Sequence, residues 1–467
     1  MMPLYIPSAG TRGNSARVSR ETLLCVEVGS RAVDFFHGVA RHLEPDIEVW
    51  FYSTKVKVRS KLSRMGYTRA SLQNDHENFA PVPANVIAEI LNDKIIASSP
   101  DRKHLLDRLR CHYDRLGSLL DSQRISAVFL WNGSGLAASV AVHIARAHGV
   151  RTIFGENGYF PGTMQLDPEG VNYAASITRT IGQEYLGTVA DPARLNHLNE
   201  VIEGFRHGRS RGASPPRERV RASWWAYLVD TMIGFSWQRI AAGRGGTKGI
   251  HNTLSDLPDR FVFIPFQVRL DSQVLMYSPL VGNDMRKFLT VCREAVRAAA
   301  PDYKVVVKPH PACRENYSEL MREYGDVIWL NDCSTREILE HASLVVTINS
   351  TVGLEALMLH KPVITLGLNF YNVERVVRHV ESLDDLPRAI AAALREPVDL
   401  ERTDRLLYYL YYHYFTHASR KDHSEASYRA AADKLRSLMD QSIHSPSPTG
   451  LGEYVRPRQP LPLPIGS

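Results

Sequence analysis

The run Lys308-Pro309-His310-Pro311 follows the apolar stretch Tyr303–Val307, and the run Asn349-Ser350-Thr351 follows Leu344–Ile348 and leads into Val352. Ligands of a parallel sheet sit beyond the C-terminal ends of its strands, so Lys308 and His310 are expected to emerge at a crevice. The prolines stop the strand and stiffen the turn. A helix opening near Val352 presents free backbone N–H groups and the positive end of its dipole. Ser350 and Thr351 add hydroxyl donors beside Asn349, and together they form a seat for a phosphate. Glu355, one turn into that helix, is placed to accept from ribose hydroxyls. The same residue types have structural uses: Asn-Ser-Thr is also a good N-cap, and a lone histidine after a strand is often structural.

A second group begins at Gly155-Glu156-Asn157-Gly158-Tyr159 and continues through Asp167-Pro168-Glu169-Gly170-Val171-Asn172. It follows the short apolar stretch Arg151–Phe154, so Glu156 and Asp167 are candidates to reach a crevice from another sheet. A sugar transfer needs a base for the acceptor hydroxyl proton, and a carboxylate across a cleft from a bound phosphate could serve. Gly, Pro, Asn and Asp also make a turn-rich loop, which is the alternative. A third group, Pro265-Phe266-Gln267 with Asp271-Ser272-Gln273, offers Gln267, Asp271 and Gln273 for reading a sugar, or for capping a loop.

Alternating apolar strands and helices must position these residues. Thr22–Val28, Ile47–Tyr52, Ile125–Trp131 and Arg151–Phe154 read as strands, with a helix over Arg31–Leu43 and a small-residue helix after Asn132-Gly133-Ser134-Gly135. The region Asn74–Ser122 reads as polar and helical. A second strand–helix series runs through Phe261–Phe266, Lys304–Val307, Val327–Leu330, Leu344–Ile348 and Pro362–Leu366. Ser334 with Glu337 three residues on has the form of a capping box. This order predicts an α/β protein of two Rossmann-like domains facing a cleft.

The expected division is a flexible leader over 1–20, an acceptor-side domain over 21–203, a basic linker and helix over 204–250, and a nucleotide-sugar domain over 251–395. Helices expected to cross back occupy 396–444, and a disordered tail 445–467. The linker segment Gly204–Arg221 carries six arginines, followed by Trp224-Trp225 and a predicted amphipathic helix to Ile240. The aromatic run Tyr408–Phe415 reads as helix packing.

The 467 residues allow two or three domains at roughly 150 residues each. A net charge of +6 comes from 56 basic against 50 acidic residues, which suits an anionic ligand or membrane face without naming one. Five scattered cysteines show no CxxC spacing, so reduced thiols and no zinc site are expected. The N-terminal stretch lacks the apolar core of a signal peptide, and no apolar run of about 20 residues predicts a transmembrane helix. The expected location is cytoplasmic, with peripheral contact at the inner membrane possible through the arginines. No nucleic-acid-binding motif accompanies them.

The segments ENGYFPGTMQLDPEGVNY, FIPFQVRLDSQ, VVVKPHP and INSTVGLEALMLHKPVITLG together resemble the bacterial capsule polysaccharide biosynthesis family, which includes transferases adding β-linked Kdo from CMP-Kdo. The resemblance spans roughly residues 125–370. It implies a GT-B-like glycosyltransferase fold with no metal or other cofactor. It implies that His310 holds the CMP phosphate, with Ser350 and Thr351 beside it and Glu355 near the ribose. Glu156 matches the first acid of the family's acidic-acidic-Gly motif, whereas the second place is Asn157 here, leaving Glu156 or Asp167 as the base. The expected partners are a sugar nucleotide, a glycan or lipid-linked acceptor and other capsule assembly proteins. The alternatives are a UDP- or GDP-sugar transferase, a sugar-nucleotide epimerase and a non-catalytic capsule assembly or export factor.

Overall fold

The computed structural model describes residues 4–7, 20–69, 81–97, 104–207, 254–310, 313, 315–331 and 333–440. Most of the arginine-rich segment, the helix expected after Trp224, Pro311 and the expected tail lie outside the described residues.

The first sheet contains β1 (Leu4–Pro7), β2 (Glu21–Val26), β3 (Ile47–Tyr52), β4 (Tyr67–Arg69), β5 (Ala127–Trp131), β6 (Arg151–Asn157) and β7 (Met164–Asp167) in the order β4-β1-β3-β2-β5-β6-β7. Its centre, β3-β2-β5-β6, is parallel, and β1, β4 and β7 pair antiparallel at the edges. Residues 4–7 of the expected leader therefore form a strand. Residues 164–167, in the group for which a turn-rich loop was the alternative reading, also form one. β2 is almost wholly buried, as an apolar run covered on both faces must be. The helices are α1 (Ser30–Leu43), α2 (Val56–Arg64), α3 (Ala84–Leu91), α4 (Lys94–Ala97), α5 (Leu105–Ser122) and α6 (Leu136–Ala147). Two more, α7 (Ile181–Gly187) and α8 (Pro192–Arg206), follow β7.

The second sheet is parallel throughout: β8 (Phe261–Pro265), β9 (Lys304–Lys308), β10 (Ile328–Trp329), β11 (Leu344–Thr347), β12 (Val363–Thr365) and β13 (Arg378–His379). Its order, β10-β9-β8-β11-β12-β13, is the doubly wound Rossmann order, with its reversal between β8 and β11. The intervening helices are α9 (Ser272–Tyr277), α10 (Met285–Ala299), α11 (Ser318–Glu323), α12 (Thr335–His341), α13 (Thr351–Met358) and α14 (Leu386–Arg395). The capping box at Ser334 and Glu337 is present at the start of α12. In α10, Asp284 caps the N-terminus, and Phe288, Leu289, Cys292, Ala295 and Val296 fall on one buried face at helical spacing.

The chain then crosses between the two bodies. α15 (Leu400–Tyr409) runs into a π-helical turn over Leu410–Tyr414, and Thr416 pairs with Met164 through two 2.9 Å backbone hydrogen bonds. The final helix, α16 (Glu425–Asp440), buries Tyr428, Ala431, Ala432, Leu435, Leu438 and Met439 in the core of the first sheet. It lies on α1 so closely that a β-carbon on Gly38 would collide with the Tyr428 ring. In exchange, α7 and α8 contribute Ile181, Tyr185, Leu198 and Ile202 to a core shared with α13 and α15. The Arg206 guanidinium donates to the Met358 carbonyl at 3.2 Å, and the Asp191 N–H to the Tyr408 hydroxyl at 3.0 Å. The boundary expected at 203 is thus misplaced, because the apolar faces of α7 and α8 are satisfied by the second body. The aromatic run 408–415 is packing, with Tyr408, Tyr411, Tyr414 and Phe415 buried. Tyr159 and Phe160 from the first body meet Phe370, Tyr411 and Phe415 there, with ring centroids 5.0–6.1 Å apart.

Candidate functional site

The crevice at the order reversal of the second sheet is built by the segments leaving β8 and β11. Gln267 and Asn349, buried to 7% and 2% exposure, lock them together. Gln267 Nε2 donates to Asn349 Oδ1 at 3.0 Å, and the Asn349 N–H donates to Gln267 Oε1 at 3.2 Å. Asn349 Nδ2 is turned to the carbonyls of Gln273, Tyr277 and Leu368 at 2.9–3.4 Å. These two amides therefore brace α9 against the sheet. Spent on these bonds, Gln267 fills the capping role that was its alternative, and the Asn349 side chain does not join Ser350 and Thr351 as a ligand contact.

Lys308 is likewise reassigned. It ends β9 buried, at 7% exposure, and its Nζ donates to the carbonyls of Asn331 at 3.2 Å and Cys333 at 2.8 Å. A buried ammonium must be compensated, and here the loop after β10 does so. His310, two residues on, is exposed. Desolvation at the crevice holds its imidazole below the ordinary histidine range and Lys308 adds to that, while the nearby Asp271 carboxylate opposes it.

Ser350 is the N-cap of α13, its Oγ accepting from the Val352 N–H at 3.2 Å, and its carbonyl accepts from the Tyr371 hydroxyl. Thr351 is exposed at the first helical position, leaving the helix end open to an anion. β9 and β11 flank β8, so the strands that lead to His310 and Ser350 run about 10 Å apart at ordinary strand spacing. Glu355 lies one turn along α13. Burial alone pushes its carboxyl up to about 7, and no hydrogen bond reaches it among the described residues.

From the first body, Glu156 stands near the end of β6. Its Oε1 accepts from the Asn157 N–H at 2.7 Å and from the Asn157 side-chain amide at 3.0 Å. The turn that follows is tight: Gly158 donates to the Thr163 carbonyl at 2.9 Å, and a β-carbon on Gly158 would overlap Thr163. Burial raises the Glu156 carboxyl, and Asp271 pushes in the same direction. The Asn157 N–H, Arg420 and an Asn132 hydrogen bond pull it down. Arg420 arrives on the returning C-terminal segment with its guanidinium carbon 4.3 Å from the centroid of the Trp131 ring. Sequence reasoning missed Arg420 and Asn132, whose proximity depends on the chain crossing and on the β5–β6 pairing.

Asp271 comes from the second body. Its side chain caps α9 by accepting from the Gln273 N–H at 2.8 Å, and desolvation raises its carboxyl, with His310 opposing. Asp271 therefore lies close enough to act on Glu156 of the first body and on His310 of its own. Gln273 is half-buried on the same helix, and Asn157 is exposed beside Glu156.

Asp167 does not join them. At 1% exposure, its Oδ1 accepts from the N–H groups of Glu169, Gly170 and Ser176, and its Oδ2 from the Ser176 N–H and hydroxyl. A carboxylate so enclosed shapes the 167–176 loop and has no room for an acceptor hydroxyl, which leaves Glu156 as the candidate base. Among the described residues, no three His, Cys, Asp or Glu side chains form a metal-holding group, and no helix is long and apolar enough to cross a membrane.

Residues 229–386 match the family of capsule polysaccharide biosynthesis proteins. The match takes in the segments around Gln267, His310 and Ser350, so the resemblance carried by those motifs is found again at the level of the family. The chain is 32% identical to protein FixF of Sinorhizobium fredii over 289 residues, 62% of this chain and 58% of that one. It is 26% identical to the capsule polysaccharide export protein KpsS of Escherichia coli over 253 residues, 49% of this chain and 64% of that one. The chain thus spans about six-tenths of the length of these relatives. Among solved structures, the Thermosulfurimonas dismutans KpsC β-Kdo 2,7 transferase aligns over 90% of this chain and 99% of that one, at 15% identity and a TM-score of 0.44.

Proposed function

We propose that this chain is a glycosyltransferase of capsular polysaccharide assembly that takes a sugar from a nucleotide donor by an inverting, metal-independent route. The reading rests on one observation: the Asp271 carboxylate of the second body lies close enough to act both on Glu156 of the first body and on His310 of its own. The donor phosphate binds between His310 and Thr351, where a helix terminus and an imidazole N–H favour negative charge. Glu355 accepts from the ribose. Glu156 takes the proton of the acceptor hydroxyl as the new glycosidic C–O bond forms and the bond from the anomeric carbon to the nucleotide phosphate breaks. The nucleotide leaves with the electron pair, and His310 stabilises its charge. Closure of the two bodies aligns the acid with the donor.

The donor we favour is CMP-Kdo, on the resemblance of the site motifs, with a glycan or glycolipid acceptor at the cytoplasmic face of the inner membrane. Thermal shift with CMP, UDP and GDP tests the donor class. Mass spectrometry after incubation with CMP-Kdo and a synthetic lipid acceptor tests the transfer. Stabilisation by UDP or GDP alone overturns the Kdo donor and keeps the transferase. Turnover of the nucleotide sugar without any acceptor points to an epimerase, and no nucleotide binding at all points to a non-catalytic assembly factor.

A further inference from the structure

Glu156 does not hold its direction unaided. Its Oε1 accepts from both the N–H and the side-chain amide of Asn157, at 2.7 and 3.0 Å, and Asn157 is itself exposed at the end of β6. An exposed asparagine has several rotamers open to it, so something must fix it for these bonds to persist. The peptide that follows is gripped at both ends. The Asn157 carbonyl accepts from Gln165 Nε2 at 3.1 Å, and the Gly158 N–H donates to the Thr163 carbonyl at 2.9 Å. Because a peptide unit is planar, these two bonds set the backbone of Asn157 and with it the direction in which its side chain leaves.

Gln165 stands opposite Glu156 in the β6–β7 register and is wholly buried. Each of its polar positions is used. Nε2 gives its second hydrogen to Asn172 Oδ1 at 3.1 Å, and Oε1 accepts from the Asn172 N–H at 2.8 Å and the Tyr414 hydroxyl at 3.4 Å. Asn172 is buried too, and its Oδ1 also accepts from the Tyr159 hydroxyl at 2.8 Å. It takes the left-handed backbone conformation at φ 56°, which asparagine tolerates better than most residues. An apolar side chain at 165 would fill the same space without these demands, since a buried amide is costly unless satisfied in this way. Tyr414 belongs to the turn that crosses from the second body, so the network is complete only when both bodies are in place.

We propose that Gln165 is a positioning residue for Glu156. It acts through the Asn157 backbone, and Asn157 in turn holds the Glu156 carboxylate where an acceptor hydroxyl can meet it. Neither amide takes the proton. The inference rests on the transferase reading above and names the buried group that makes Glu156 effective.

The test removes each link separately. Gln165→Met keeps the length of the side chain and loses its hydrogen bonds. Asn157→Ala takes away only an exposed amide, so it reports even if the core substitution fails to fold. Initial rates of transfer from CMP-Kdo to the synthetic lipid acceptor are followed across pH, with CMP affinity by calorimetry and melting curves alongside. If UDP or GDP is the nucleotide that stabilises the chain, the matching UDP- or GDP-sugar replaces CMP-Kdo. We expect each variant to lose about ten-fold or more in turnover with nucleotide affinity as in wild type. The bonds from Asn157 favour the charged carboxylate, so their loss should move the acidic limb of the rate–pH profile to higher pH. Gln165→Met should lose less in the Asn157→Ala background than in wild type, since the two lie on one path. A merely structural Gln165 lowers the melting temperature and leaves the limb in place. The proposal is overturned by that result, by an unmoved limb in Asn157→Ala, or by losses that multiply when the two substitutions are combined. A wild type that transfers sugar, with Glu156→Gln inactive and Gln165→Met unimpaired, sinks this inference alone. A wild type that neither binds a nucleotide nor transfers sugar sinks the transferase reading and this inference with it.

Discussion

Gln267 and Asn349 hold each other through a side-chain pair and a backbone N–H, joining the segments that leave β8 and β11 at the sheet's order reversal. Replacing Asn349 by alanine removes the side-chain half of that clasp, keeps the backbone N–H to Gln267, and takes away the partner that Gln267 Nε2 and the Gln273 carbonyl have in the Asn349 amide. Leaving such buried groups unpaired costs about 3 kcal/mol. We expect Asn349→Ala to lower the urea midpoint by that measure with an unchanged m-value. A direct role in binding a sugar would instead leave the midpoint where it is.

Glu156 and Asp167 should separate cleanly. Glu156→Gln keeps the size and the hydrogen bonds from Asn157 but removes the proton acceptor, so transfer should fall by about two to four orders of magnitude with an unaltered melting temperature. Asp167→Asn places an amide among four donors, and the loss should appear as instability. Initial rates and melting curves of the two variants, measured together, decide the assignment.

Lys308 and His310 form a second such contrast. His310→Ala should weaken CMP binding at least ten-fold, seen by calorimetry, in a protein that melts normally. Because desolvation holds His310 below the usual histidine range, its imidazole is mostly uncharged at pH 7, and CMP should bind with proton uptake and more tightly as the pH falls. That pH dependence should vanish in His310→Ala. Lys308→Met should destabilise the fold by releasing the loop after β10, and the folded fraction should bind CMP as wild type does.

Glu355 makes stability fall with rising pH. Its carboxyl is raised from 4.5 to about 7, so between those values the native protein holds a proton that the unfolded chain has released. The native advantage is complete below the lower value and is lost as the pH climbs through the upper one. Glu355→Gln should flatten this slope and raise stability at pH 8 by up to about 3 kcal/mol, as chemical denaturation across pH would record. Steeper loss in the variant would show that the carboxylate is paired when ionised.

Much of the architecture was legible because apolar strands carry their own signal. The runs at 47–52, 261–265 and 344–347 are strands with buried faces, and the caps at Ser334 and Ser350 stand where their residue types suggest. The pattern failed where burial is polar. In β7, Gln165 and Asp167 are as buried as Met164 and Leu166, and Gln165 is satisfied by Asn157 and Asn172 through contacts that no local pattern announces. Lys308, Gln267 and Asn349 have the residue types of ligand-facing groups, and residue type does not reveal that Lys308 and Asn349 donate to distant backbone carbonyls or that Gln267 pairs with Asn349. Arg420 and Trp131 meet only because the chain recrosses, so neither could be placed at the site from its neighbours in sequence.

That recrossing also bears on synthesis. The first sheet is complete early, but α1 stays uncovered until residues 425–440 have left the ribosome, and α7 and α8 wait for a surface translated long after them. Domains usually fold in turn from the N-terminus as they are made. Here the nascent N-terminal half carries exposed apolar faces through most of translation, which makes it a client for chaperones, and a stop codon anywhere before α16 spoils the half that has already been built.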